Sequence, residues 1–228
     1  MDPLILLDQA VAQGKVPLAM ARRVRKRMGY LVGAVQRVER ASSLQYPPYY
    51  IEPVLPVARN QAEYGEMGVL FARVVPTTAT GSLSILIQFT AALVAFGTKS
   101  TIEAVAAHEF THYVDLVRRL SGTDVLSDER SATLYESSYA DEERLVPPRL
   151  LFAEKSLSAL VSRKFKGGLS DPALNKKVSD MWMGKSLPIR WVNPEENVVR
   201  LGIEHVASAR FDPRVVARVQ EIQKKMKP

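Results

Sequence analysis

Residues 108–112 read His-Glu-Phe-Thr-His, a pattern whose chemistry depends on whether it lies on a helix. At 100° per residue, two histidines four positions apart project from one face about one turn apart. That is the separation at which two imidazoles reach one tetrahedral zinc at ~2.0 to 2.1 Å. Glu109 flanks the same site, placed to take a proton from metal-bound water rather than to bind the metal. The chain has three histidines and no cysteine. Thiolate ligands, disulfides and a cysteine nucleophile are excluded, and any metal must sit on His, Asp or Glu. The plainer reading of the same residues is two histidines satisfied in a core or exposed on a helix, and it predicts no bound metal.

The surrounding residues read as the required helix. Ser100-Thr-Ile-Glu103 has the form of a capping box, and Ser121-Gly122 supplies the stop. Ile102, Ala106, Phe110, Tyr113, Val114, Val117 and Leu120 form a broad apolar side. Thr101, His108, His112, Asp115 and Arg119 lie along another stripe, so packing and chemistry are expected on different faces. Asp115 has the reach to orient a ligand or the Arg119 guanidinium, with a surface ion pair as the simpler expectation.

The stretch STIEAVAAHEFTHYVDL resembles the active-site helix of the zincin metallopeptidases, and YESSYADEERL is similar to the E-x-x-A-D helices of the gluzincin branch. The resemblance covers about residues 83–146. It implies a zincin-like fold, a zinc cofactor, a peptide or protein substrate, and a glutamate on a later helix as third zinc ligand. Glu136, 24 residues after His112, stands where that ligand is implied. Asp141 follows Glu136 by five residues where the family pattern has four, and strict alignment on A-D places Ser137 at the ligand position. Glu129 and Glu143 share the Glu136 face at seven-residue spacing, each a fallback ligand or an acceptor for one, with Glu143 the first fallback, and the plainer reading of the three is a solvated acidic stripe. His205 has three readings: a third ligand, an oxyanion donor, or a packed interior histidine. Tyr135 and Tyr139 are further candidate oxyanion donors. In the mechanism so implied, zinc brings the pKa of its water towards ~7 and polarises the scissile carbonyl, while Glu109 carries the proton to the leaving amine.

The elements that must position these residues follow from apolar periodicity and turn signals. Val16 to about Arg40 reads as a helix with Pro17 in its first turn, and the four prolines of YPPYYIEPVLP, residues 46–56, mark a linker or extended arm. Met67 to Val75 and Leu83 to Phe89 read as strands about the turn PTTATGS, with Ala91 to Phe96 as a third run of a small sheet. One of the latter two runs is expected to bind substrate backbone by edge addition. Helices are predicted over 128–145, 149–165, 171–182, 194–209 and 213–226. The fold class expected is α+β: a small mixed sheet packed on the active helix, then a mostly helical C-terminal lobe. The parts are a helical segment at 1–45, a catalytic core at 46–147 and the helical lobe at 148–228, forming one two-lobed unit.

The chain is 228 residues long, with 46% apolar and 24% charged residues, and reads as an ordinary globular protein. No apolar run reaches the ~20 residues needed to span a bilayer, and the start lacks a secretory pattern, so a cytoplasmic location is the expectation. Oligomeric state is not readable. The net charge of +7 suits nucleic acid, an anionic membrane surface or an acidic polypeptide as partner, the plainer reading being a basic soluble enzyme; it is sharpest at Arg22, Arg23, Arg25, Lys26 and Arg27, where a polyanion would bind first. Two rivals to a peptidase follow: a basic nucleic-acid-associated module using that run, and a non-catalytic protein in which zinc stabilises helical packing.

Overall fold

A computed structural model of the chain describes residues 2–58, 68–78, 83–121, 146–166, 168–192 and 209–226. Helix α1 spans Ile5–Ala12 and α2 spans Leu18–Ser42. The expected helix from Val16 is α2. Pro17 stands just before its first turn in extended conformation, where a missing N–H costs nothing. Its end is set by Ser43 at φ 58°, a left-handed stop, and by the Ser42 hydroxyl, which donates back to the Val38 carbonyl.

Among the described residues, five strands form two sheets. In the first the order is β1 (Tyr49–Glu52), β4 (Ser84–Thr90), β3 (Ala72–Thr77), with β4 central, parallel to β1 and antiparallel to β3. In the second, β2 (Leu55–Ala58) runs parallel to β5 (Ile189–Val192). The proline-rich segment is therefore extended but not a linker, because it supplies two paired strands. Pro56 offers β2 only its carbonyl, which accepts from the Leu70 N–H at 3.1 Å. Strand β5 has no counterpart in the sequence reading.

Residues 91–96 are not a strand. They form α3 (Ala91–Phe96), because Thr90 ends β4 and its side chain accepts from the Leu93 N–H, opening a helix. All six residues are buried, and a run that is apolar on every side carries no period to separate strand from helix. The expected site of edge addition is excluded at both runs: 91–96 is helical, and β4 is flanked by β1 and β3.

Helix α4 spans Lys99–Ser121. Its cap is Thr98, whose hydroxyl accepts from the Thr101 N–H at 3.1 Å. The capping box expected at Ser100 fails because the Glu103 carboxylate is committed to Arg37 at 2.6 Å instead of reaching back to the backbone. The expected helix at 149–165 is split into α5 (Pro148–Leu151) and α6 (Lys155–Lys164). Next come α7 (Pro172–Val178), capped by Asp171 and continuing as a π-helical turn over Ser179–Met183, and α8 (Pro213–Met226). The predicted helices at 128–145 and 194–209 lie outside the described residues.

The result is a mixed architecture of helices and small sheets, with α4 at its centre. Helices α2, α6 and α8 and strand β3 all pack on α4. Phe89, Ile102, Phe110 and Trp182 are among the largest side chains fully removed from solvent. Burial extends around most of α4, taking in Thr101 and Asp115 as well as the apolar side. The expectation of one packed and one open face is corrected in part: Thr101 and Asp115 of the polar stripe are covered, while His108 and His112 on the same stripe are half-buried.

Candidate metal centre

The helical turn from His108 to His112 brings the two Nε2 atoms to 3.0 Å. The rings meet edge to face at 4.6 Å and 86°. Phe165, in the turn after α6, stacks flat on His108 with ring centroids 3.7 Å apart and planes 8° apart. Because α6 packs along α4, the chain after Lys164 comes back over the first imidazole.

Burial and mutual repulsion push His108 well below its ordinary pKa. Burial also lowers His112, to about 4, with Asp115 opposing the shift and Arg119 adding to it. Both rings are thus neutral near pH 7, the form in which imidazole donates a lone pair to a metal. Two nitrogens bound to one tetrahedral zinc at ~2.0 to 2.1 Å stand about 3.3 to 3.4 Å apart, within a few tenths of an ångström of the observed spacing. The pair fits a zinc ion. A distance of 3.0 Å is also right for a hydrogen bond between neutral imidazoles of suitable tautomers.

Glu109 is buried, and loss of solvation pushes its carboxyl up to about 8. Its charge is felt by Tyr46, which burial and Glu109 together raise well above the usual phenol range. Tyr46 donates its hydroxyl to the Ala106 carbonyl at 2.8 Å and stacks on Phe110 at 5.3 Å, which fixes it along α4 next to the glutamate.

Asp115 is not a surface residue. It is 2% exposed, and its carboxylate accepts from Arg118 Nε at 2.8 Å and Arg118 Nη2 at 2.6 Å on one oxygen, and from Arg119 Nε at 2.7 Å on the other. Charge-assisted bonds of this kind hold the carboxylate in place three residues beyond His112.

Among the described residues no third His, Asp or Glu joins His108 and His112. Glu136, its fallback Glu143, Glu129, Asp141, Tyr135, Tyr139 and His205 all lie outside the described residues. The sequence reading missed Tyr46 and Phe165. Tyr46 belongs to the proline-rich stretch, and Phe165 stands 57 positions after His108, so neither carried a local signal.

The cationic run on α2 is largely engaged within the fold. Arg23 Nε donates to the Ala95 carbonyl and Arg27 Nε to the Val94 carbonyl, each at 2.8 Å, while Arg27 also reaches the Gly97 carbonyl. These guanidinia satisfy the carbonyl end of α3, which has no following turn to do so. Arg25 pairs with Asp8. Comparison with protein-family models, curated proteins and solved structures gives no match to this chain.

Proposed function

We propose that the chain is a zinc-dependent peptidase of the HExxH, gluzincin-like kind, acting on peptide or protein substrates. The observation that carries this reading is the convergence of His108 Nε2 and His112 Nε2 to 3.0 Å on one half-buried helical turn. His108 and His112 hold the metal, with Glu136 as the proposed third ligand and Glu143 as the alternative. A bound zinc supplies Lewis-acid polarisation of the scissile carbonyl and a nucleophilic water at neutral pH. Glu109 accepts a proton at its carboxylate and returns it to the leaving amine. A cation beside that carboxylate would favour its ionised form against the burial that now raises it. His205 is the proposed oxyanion donor.

The test pairs two measurements on the same samples, zinc stoichiometry and cleavage of an unfolded polypeptide such as casein. Wild type should bind about one zinc per chain. His112→Ala should lose it, and Glu136→Gln should weaken it more than Glu143→Gln or Glu129→Gln. Glu109→Gln should keep zinc and fold while hydrolysis falls by ~10² to 10⁴. Full zinc retention in a His108→Ala, His112→Ala double variant would overturn the assignment.

A second reading is favoured by the burial of Glu109, which pushes its carboxyl up to about 8 and so keeps a proton on the group that would have to accept one. In that reading zinc braces the helices without catalysis, and wild type binds the metal but cleaves nothing across peptide libraries. If no zinc binds, the two histidines are a hydrogen-bonded core pair.

A further inference from the structure

The positive charge of this chain is local. Its 31 Lys and Arg exceed its 24 Asp and Glu by seven, and residues 9–38 hold seven of the cations and no acid. The rest of the chain is balanced, with 24 of each sign. Four of the seven are engaged: Arg23 and Arg27 on the carbonyls that end α3, Arg25 on Asp8, and Arg37 on Glu103 and Glu154. Lys15, Arg22 and Lys26 are exposed, with no partner among the described residues.

Leu18, Arg22, Lys26, Gly29 and Gly33 follow one another at helical spacing on the solvent side of α2. Four of the six large hydrophobic side chains exposed among the described residues lie on α1 and α2: Ile5 at 47%, Leu18 at 49%, Tyr30 at 42% and Val32 at 39%. Ile5 shares a face of α1 with Asp8, three residues on, and Asp8 reaches across to Arg25. The α1 stripe is thereby joined to the α2 face. Gly29 and Gly33 have open space where a Cβ would stand, so the middle of the face is flat.

We propose that this face of α1 and α2 binds the surface of an anionic phospholipid bilayer. Nucleic acid would use the cations but gain nothing from the aliphatic side chains set between them. A bilayer surface uses both: Lys15, Arg22 and Lys26 meet headgroup phosphates, Ile5, Leu18 and Val32 enter the acyl boundary, and Tyr30 sits at the interface. The helices lie on the membrane rather than cross it, since no helix among the described residues is long and apolar enough to span. The inference is independent of the proposed metal centre, and its test does not depend on activity.

The test is co-sedimentation of the full chain with phosphatidylcholine vesicles, with and without phosphatidylserine. The chain should pellet only with phosphatidylserine present, and added salt should weaken the binding. An Arg22→Gln, Lys26→Gln variant should bind roughly thirtyfold more weakly, about fivefold per charge removed. A Leu18→Ser, Val32→Ser variant, with charge unchanged, should also lose affinity. Circular dichroism and the Tm check that both variants keep the fold. No pelleting with phosphatidylserine vesicles at low salt overturns the proposal, as does binding that neither variant weakens. Binding to a DNA duplex that the charge variant loses and the aliphatic variant keeps, with no vesicle binding, assigns the face to nucleic acid and equally overturns it.

Discussion

His108 is held on two sides before any ligand arrives, by the Phe165 ring on its face and by His112 at its edge. A side chain already confined to one orientation surrenders less entropy on binding. In the proposed zinc centre, Phe165→Ala should therefore weaken metal binding about tenfold, the lower end of what supporting contacts contribute, while Phe165→Tyr keeps most of it. Chelator competition reads the affinity, and an unchanged value in the alanine variant would show the stack to be incidental. At this scale the sequence was informative about residues whose relation is set by one helix. His108, Glu109 and His112 follow from spacing alone, because 3.6 residues per turn fixes their directions. Phe165 and Tyr46 reach the same helix through tertiary packing, which no window of neighbouring residues encodes. The environment of Asp115 was misjudged for the same reason: the α4 sequence alone does not show that other elements cover its polar stripe.

Two elements carry a surplus or a dependence that mutation exposes. Gly29 and Gly33 lie in the interior of α2 with ordinary helical φ and room for a methyl group. Replacing each with Ala should stabilise the fold by about 0.5 to 1 kcal/mol, since glycine loses the most backbone freedom on folding. For a chain of this size that corresponds to a Tm rise of roughly 1 to 4 °C per site. No rise would mean the helix already meets something at that face. Asp171, by contrast, is the cap of α7, and it also accepts from the Thr101 hydroxyl and, at 3.0 Å, from Lys164 Nζ. Burial pushes its carboxyl up, but the bonds from Thr101, the Leu174 N–H and Lys164 outweigh it and hold the pKa below the ordinary value. A carboxyl depressed in the folded state contributes stability that is present above its unfolded pKa of ~3.9 and lost as pH falls through the folded value. The Tm gap between wild type and Asp171→Asn should thus be full at about pH 6 and shrink towards pH 3; a gap that stays constant would rule out this linkage. Periodicity served the longer elements, since α2, α4, α8 and β4 were legible as extended runs with one pattern. It failed for α3, which is apolar all round, and for β1, β2 and β5, four-residue strands interrupted by proline or half exposed, whose identity comes from the partner strand.

Arg37 ties the molecule together at long range. From α2 it donates to Glu103 on α4, to Glu154 just before α6, and to the Ser156 hydroxyl. Hydrogen bonds from Arg37 and then Ser156 hold the Glu154 carboxyl down at about 2. Arg37→Ala leaves the buried Glu103 without this cation, and should cost about 2 to 3 kcal/mol in urea unfolding. An Arg37→Met, Glu103→Leu double variant, which removes both charges, should recover much of the loss. If the single and double variants are equally unstable, the arginine acts through packing alone. The same long-range character marks the second sheet. Leu55 pairs with Ile189, 134 positions later, and until that partner exists the strand has, among the described residues, only the Val57 to Val69 bridge beside it. At ribosomal rates of about 5 to 20 residues per second, β2 is made roughly 7 to 27 s before its partner emerges. Leu55 and Val57, both buried in the finished fold, spend that interval on an open apolar edge, so the order of synthesis gives a nascent-chain chaperone reason to hold β2.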